Sequence, residues 1–343
     1  MWFWSYLNGR SLCVASKQST SAPRDINIGV PQGSVLGPLL FCIYMNDLSL
    51  ILSDNTLRIL YADDLQIYVQ VPLEQIHEGI HLLSNAALKV SAWAELNVLS
   101  LNVKKTKAIV FGTPHVVGLF KKLDINNIAI NRKGDTVPFV DEVLSLGVIL
   151  DNILSWKQHV NHISKKVNRV LYGLRFIKSC TSQPLRRRLV ESLVIPHLDY
   201  CIVVYADISL ELRTKLQRLA NLGIRYIFGL RRDEHLTPYR KKLKWLRNDT
   251  RRDYFAALIM YRIWRMKEPP LLLSLFKPYH SDKPTRGPRI DLEMTTMITD
   301  SGKNSFQIKY ANLWNSLPPC YRDLPSFSQF KRSIKLYFSK QDT

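Results

Sequence analysis

Leu57-Arg58-Ile59-Leu60-Tyr61-Ala62-Asp63-Asp64-Leu65-Gln66-Ile67-Tyr68-Val69 decides how this chain is read. Two short apolar runs, Leu57–Ile59 and Leu65–Val69, flank Tyr61-Ala62-Asp63-Asp64. In the second run Leu65, Ile67 and Val69 alternate with Gln66, Tyr68 and Gln70, the period of a half-buried strand. The pattern predicts a β-hairpin with two carboxylates at or beside its turn. Adjacent like charges repel, and one carboxyl tends to stay protonated unless something neutralises the pair. A divalent cation that prefers hard oxygen ligands, Mg²⁺ foremost, removes that cost. A solvated Asp-Asp turn without a function is the ordinary alternative, so the surroundings must decide.

Working outward, Gly29-Val30-Pro31-Gln32-Gly33-Ser34 is turn chemistry, and Ser34 is placed to cap a helix through Val35–Leu52. Farther upstream the chain reads as an entry helix (Phe3–Asn8), a strand, and a polar turn around Ser19–Arg24. Downstream, residues 74–96 are helical, with Ile76, Ile80, Leu83, Ala87 and Val90 at spacings of three and four. Ala108–Phe111 and Val143–Leu150 read as strands. The clearest helix covers residues 156–178: Trp156, Val160, Ile163, Val167, Val170, Leu174 and Ile177 repeat at alternating spacings of 4 and 3. Lys157, Lys165, Lys166, Arg169, Arg175 and Lys178 lie off that stripe. Residues 184–267 read as mostly helical and very basic. Pro and Gly at 269–288 suggest a boundary, and a last amphipathic helix falls near 327–338. The fold class expected is α+β.

The 343 residues are 46% hydrophobic, enough for a sizeable core, which excludes a disordered tail. Of the net charge of +20, none falls in residues 1–150, with 12 basic and 12 acidic residues. Residues 151–343 carry 36 basic against 16 acidic, the whole excess. A neutral part followed by a strongly basic one suggests chemistry or packing in the first and a grip on a polyanion in the second. The longest apolar run, Val35–Met45, is far short of the ~20 residues that span a bilayer, so no membrane role is expected. The N-terminus lacks the basic and long apolar regions of a signal peptide. Cys13, Cys42, Cys180, Cys201 and Cys320 are odd in number and contain no CxxC pair. They point to an intracellular, reducing compartment, with nucleus and cytoplasm not distinguished.

Gly29–Phe41 (Gly-Val-Pro-Gln-Gly-Ser-Val-Leu-Gly-Pro-Leu-Leu-Phe) followed by Tyr61-Ala62-Asp63-Asp64 resembles motifs B and C of reverse transcriptases, specifically those of non-LTR retrotransposons, the LINE and jockey-like elements. Leu99–Lys107 resembles motif D, Leu146-Gly147-Val148 the primer-grip strand, and Trp2–Arg10 the stretch before motif B. Ile195–Tyr200 and Leu313–Pro318 resemble the C-terminal region of such elements. The likeness thus runs over nearly the whole chain, and the ordered series is highly specific. RNA-dependent RNA polymerases, with a Gly-Asp-Asp hairpin, fit Tyr61-Ala62 and Pro31-Gln32-Gly33 less well.

The resemblance implies a partial palm of antiparallel sheet plus helices over 1–150, a helical thumb over 151–268, and a mostly helical basic extension over 269–343. It implies Asp63 as the principal metal ligand and Asp64 as its weaker partner, with two Mg²⁺ in the intact enzyme. Tyr61 would pack near the primer terminus. Gln32 and Gly33 would sit against the templating base and the incoming dNTP. Lys105, with Lys104 as the alternative, would protonate or neutralise the departing pyrophosphate. Leu146 and Gly147 would place the primer. The partners implied are an RNA template, a DNA primer and dNTPs; the oligomeric state is not implied. The reaction is attack of a primer 3′-hydroxyl on the α-phosphorus of a dNTP. The family's motif A aspartate is expected upstream of the segment that Trp2–Arg10 resembles. Asp25, in a polar turn, and Asp47, near the end of the motif B helix, sit in no such context. The chain by itself is therefore expected to be N-terminally truncated and inactive. Its competing reading is a non-enzymatic relic or an RNA-binding fragment of a decayed mobile element.

Weaker signals have plainer readings. His159 and His162 form an HxxH that reads as solvated helix surface. Arg186-Arg187-Arg188, Arg231-Arg232, Tyr239–Lys242 and Arg251-Arg252 each read alone as solvated faces, and together as a grip on nucleic acid. Tyr226, Tyr239, Trp245, Tyr254 and Trp264, interleaved with them, read individually as core.

Overall fold

The computed structural model describes residues 2–52, 56–123, 125, 127–130, 134–279, 291–293, 297 and 300–342. Of the boundary expected at 269–288, residues 280–288 lie outside the described residues. The chain mixes helices with small two-stranded antiparallel sheets, an α+β composition, and divides into two compact units, Met1–Asp141 and Glu142–Thr343.

The first unit opens with α1 (Trp2–Leu7). Strands β1 (Arg10–Leu12) and β2 (Arg24–Ile26) pair antiparallel, with Ser11 opposite Asp25. Asp25 therefore sits in mid-strand, not in the polar turn expected of it. The expected Val35–Leu52 helix is present in two pieces: α2 (Gly37–Met45) runs into a 3₁₀ segment, Asn46–Ile51. Next come β3 (Leu57–Tyr61) and β4 (Asp64–Tyr68), then α3 (Ile76–Leu96), which matches the helix read from periodicity. Helix α4 (Pro114–Lys121) is capped by Thr113 Oγ1, which accepts the Val116 amide at 3.3 Å. Strands β5 (Asn127–Ala129) and β6 (Thr136–Pro138) pair beyond it. Ala108–Phe111, expected as a strand, is reduced to one parallel bridge between Ala108 and Phe139.

The core of this unit is small. Met45, Leu48, Leu52, Ala86, Val90, Trp93 and Ala94 are buried together, and Leu65 and Ile67 pack against them. That is the apolar face of β4 whose period of two was read from the sequence. Strand β3 is exposed along its whole length.

The second unit begins with β7 (Glu142–Ser145) and β8 (Val148–Asp151). They pair antiparallel with Ser145 opposite Val148. Val143–Leu150 is therefore a hairpin, not the single strand expected. Leu146 and Gly147 adopt φ of +45° and +80°, and two consecutive positive φ values make the tight turn whose twist suits a two-residue hairpin. Helices follow: α5 (Lys157–Phe176), α6 (Gln183–Leu193), α7 (Ile195–Asp199), α8 (Leu210–Phe228), α9 (Thr237–Leu243) and α10 (Asn248–Tyr261). A π-turn, Arg262–Met266, continues α10. The chain ends with α11 (Pro270–Leu273), α12 (Asp300–Lys303), α13 (Phe306–Ser316), α14 (Pro319–Arg322) and α15 (Phe327–Gln341).

One large core holds this unit together. From α5 it takes Val160, Ile163, Val167, Leu171 and Leu174; from α8, Leu212, Leu216, Leu219 and Ile227; from α13 and α15, Trp314, Phe330 and Ile334. The stripe read from the sequence is the buried face of α5, except at its end, where Leu171 is buried and Ile177 is exposed. Tyr226 and Tyr254 belong to this core, and Tyr239, Trp245 and Trp264 pack against it. Their interleaving with basic residues reflects helical periodicity, as the plainer reading had it. The HxxH is a correction. His159 is buried and joins α5 to the hairpin, whereas His162 is half-buried.

Candidate active site and the β7–β8 hairpin

The acidic tip is a two-residue turn. Tyr61 pairs with Asp64 across β3 and β4, which leaves Ala62 and Asp63 as the loop. Ala62 takes φ +53°, a left-handed conformation that costs a residue with a Cβ about 1 kcal/mol. Asp63 thus stands at the turn and Asp64 at the first position of β4. Both carboxylates are exposed, and among the described residues neither is in an ion pair or hydrogen bond.

The Pro31–Ser34 loop is built around one hydroxyl. Ser34 Oγ accepts the Tyr6 phenol at 2.6 Å and the Gly37 amide at 3.1 Å, and donates to the Pro31 carbonyl at 2.7 Å. It thereby takes up an otherwise free amide at the start of α2, although the N-cap position expected for Ser34 is held by Leu36, because the helix begins only at Gly37. Arg10 ties the entry segment to the same loop by donating to the Gly29 carbonyl at 2.8 Å. Gly37 is required here, since a Cβ would lie 2.9 Å from Ser34 Oγ and 3.1 Å from the Pro31 carbonyl. Gln32 and Gly33 are exposed, and Gly33 takes φ +82°.

Lys105 is exposed on a turn held by Asn102, a residue the sequence reading passed over. The Lys105 amide donates to Asn102 Oδ1 at 3.2 Å and to the Asn102 carbonyl at 3.1 Å. Thr106 Oγ1 donates to that carbonyl at 3.0 Å. The signal was an Asn three residues before the lysine, the habit of side chains that cap their own turns.

Tyr61, Asp63, Asp64, Gln32, Gly33 and Lys105 all belong to Met1–Asp141. Among the described residues no hydrogen bond or ion pair joins the acidic tip to the Gln32–Gly33 loop or to Lys105. Asp47 is exposed in the first turn of the 3₁₀ segment. Among the described residues no group of three or more His, Cys, Asp or Glu converges, and no helix is long and apolar enough to cross a membrane.

Leu146 and Gly147 belong to Glu142–Thr343, at the turn of the β7–β8 hairpin. Two aromatic residues hold that hairpin. Tyr200 donates its phenol to the Leu146 carbonyl at 2.6 Å. His159 Nδ1 accepts the Ile149 amide at 3.3 Å, and its ring stands edge-on to Tyr205 at 4.9 Å. Burial, with the nearby His162 and Lys166 charges, lowers the His159 pKa to about 4. His197 is lowered too, by burial and by Lys166. Asp199, next to Tyr200, is gripped through both carboxylate oxygens by the Arg251 guanidinium.

A profile of the family described as "Reverse transcriptase (RNA-dependent DNA polymerase)" matches residues 1–150. The Drosophila melanogaster protein named "Probable RNA-directed DNA polymerase from transposon X-element" is 25% identical over 241 residues, covering 66% of this chain and 24% of that protein. "RNA-directed DNA polymerase from mobile element jockey" of Drosophila funebris is 25% identical over 234 residues, again 66% of this chain and 24% of that protein. A share of 66% exceeds the 150 residues of the profile match, so the likeness continues into the second unit. The chain carries a reverse transcriptase domain of the kind found in the LINE and jockey-like non-LTR retrotransposons, and it spans about a quarter of the length of the curated relatives it matches.

Proposed function

We propose that this chain is part of a polymerase that carries out RNA-directed DNA synthesis as an intact protein, inactive as this stretch alone, with Asp63 and Asp64 as ligands of a divalent cation at the primer terminus. Residues 1–150 act as part of a palm, 151–268 as a helical thumb, and 269–343 as a basic extension. The observation that supports the reading best is the acidic turn itself: two consecutive exposed carboxylates, Asp63 in the loop and Asp64 at the strand start, with no protein cation bound to either among the described residues.

The donor set fits the ion. Two hard oxygens from one rigid turn leave room for waters and substrate phosphates, the coordination Mg²⁺ takes. When bound, two such ions supply charge neutralisation at the attacking 3′-hydroxyl and the leaving pyrophosphate. The chain's own residues orient and support. Tyr61 packs at the primer terminus beside the tip. Gln32 and Gly33 line the templating base and the dNTP, where a residue without a Cβ permits close backbone approach. Lys105 offers a proton or a positive charge to the departing pyrophosphate. Leu146 and Gly147 place the primer strand, and the excess of positive charge after residue 150 holds template and primer through their phosphates. That same excess favours a second reading, a nucleic-acid grip without chemistry.

Fe²⁺ in place of Mg²⁺, with ascorbate and peroxide, cleaves backbone beside the bound ion. The expected cuts fall around residues 61–66 and vanish in Asp63→Asn and Asp64→Asn. Cleavage that ignores both substitutions rejects the metal assignment. Extension of oligo(dT) on poly(rA) by a protein carrying this stretch, lost in Asp63→Ala, separates the polymerase from the simple grip.

A further inference from the structure

The β7–β8 turn is an unusual place for a leucine. Leu146 holds φ +45° and Gly147 holds φ +80°. A left-handed residue with a Cβ costs about 1 kcal/mol, so something must hold Leu146 there. The holding group is Tyr200, 54 residues away in sequence, whose phenol donates to the Leu146 carbonyl at 2.6 Å. Its ring also closes on Gly147, where a Cβ would stand 3.1 Å from Cε1 and 3.4 Å from the hydroxyl oxygen. Hydroxyl and ring edge thus both bear on the turn, one on each of its two residues.

Core packing does not account for Tyr200, which is 52% exposed. What is buried is the frame that presents it. Tyr200 follows α7, whose Ile195 and Leu198 lie in the core, and its amide donates to the Pro196 carbonyl at 3.0 Å. Asp199 is fixed to α10 by the two-point grip of Arg251. The hairpin is held from below as well, by His159 on the Ile149 amide. Such a frame delivers one phenol to one carbonyl at the exposed end of a hairpin. Leu144 and Leu146, 64% and 39% exposed, present apolar surface there.

We propose that Tyr200 is a positioning residue that fixes the Leu146–Gly147 turn in the shape that meets the primer 3′ end. The proposal rests on the reading of that turn as the primer contact. Tyr200 touches neither primer nor dNTP in this role; it acts through the Leu146 carbonyl.

The test uses the full chain and an oligo(dT)/poly(rA) hybrid with 4-thiothymidine at the primer 3′ end. Hybrid affinity is read by fluorescence anisotropy, crosslink position by mass spectrometry, and hairpin opening by amide exchange. Tyr200→Phe keeps the ring and removes the donor. The expected result is an unchanged melting midpoint and hybrid affinity within twofold, but at least a fivefold loss of crosslinks to residues 142–151 and faster exchange at Val148. Gly147→Ala, which pushes the ring away, reproduces the crosslink loss. Wild-type crosslink yield in Tyr200→Phe overturns the proposal. Should the wild-type primer end crosslink elsewhere, or the hybrid fail to bind, the primer-contact reading falls and takes the positioning role with it. Those cases are told apart because the first leaves wild-type crosslinks on the hairpin and the others do not.

Discussion

His159 Nδ1 accepts the Ile149 amide proton at 3.3 Å, joining the first buried turn of α5 to strand β8. Acceptance requires the ring to be neutral, and burial keeps it so by lowering its pKa from 6.5 to about 4. In the unfolded chain the imidazole takes a proton near pH 6.5; in the folded chain it resists until about pH 4. Stability from this residue is therefore complete above pH 6.5 and falls as pH drops toward 4, by about 3 kcal/mol at most. Asp253 works the other way, because burial raises its pKa. Urea unfolding of wild type and His159→Leu between pH 4 and 8 isolates the histidine: the difference between their stabilities should change over that window and be flat above pH 7.

Asp199 and Arg251 form a partly buried two-point ion pair, with side chains 21% and 25% exposed. Asp199→Asn leaves the guanidinium with a weaker, neutral partner. The expected loss is about 2 kcal/mol, below the range for fully buried pairs because water reaches this one. Denaturant melts should show it, and 0.5 M NaCl should change it little, since partly buried pairs are weakly screened.

Ala62 sits at φ +53° in the acidic turn. Ala62→Gly relieves the strain at some cost in chain entropy and should stabilise the hairpin by about 0.5 kcal/mol. Ala62→Val should destabilise it by about 1 kcal/mol, because a β-branched side chain tolerates a left-handed backbone poorly. Amide exchange at Leu65 and Ile67 reads both; equal protection in the two variants would contradict the turn.

Two adjacent exposed lysines of α5, Lys165 and Lys166, should contribute to phosphate binding. Each phosphate contact adds about 0.7–0.9 to the slope of log affinity against log salt. Lys165→Gln with Lys166→Gln should lower that slope by about 1–2 for poly(rA), with the melting midpoint unchanged. A slope equal to wild type would place the grip on another face.

Much of the candidate site was legible locally. The Asp63–Asp64 tip follows from alternation on one side and turn residues in the middle, and both act over a few residues. The α5 stripe was legible because the 3.6-residue repeat marks one face for burial wherever a partner lies. The HxxH was misread because spacing places His159 and His162 near one another without saying which is covered. His159 is buried because Tyr205 and β8 lie over it. Val143–Leu150 was misread because a hydrophobic run hides its own turn. Only Gly147 hinted at a reversal, and Leu146 in a left-handed conformation is not what local preference selects.

The sequence by itself determined the family, the acidic hairpin, the helices with their buried faces, and a charge excess confined to the part after residue 150. These are properties of neighbours along the chain, set by backbone sterics, periodicity and composition. Tertiary structure alone decided that Tyr200 closes on the Leu146–Gly147 turn, that Arg251 fixes Asp199, and that His159 is a neutral core residue. Each of the first two joins groups more than fifty residues apart. Such contacts depend on the packing of the large helical core, which offsets the entropy of closing those loops.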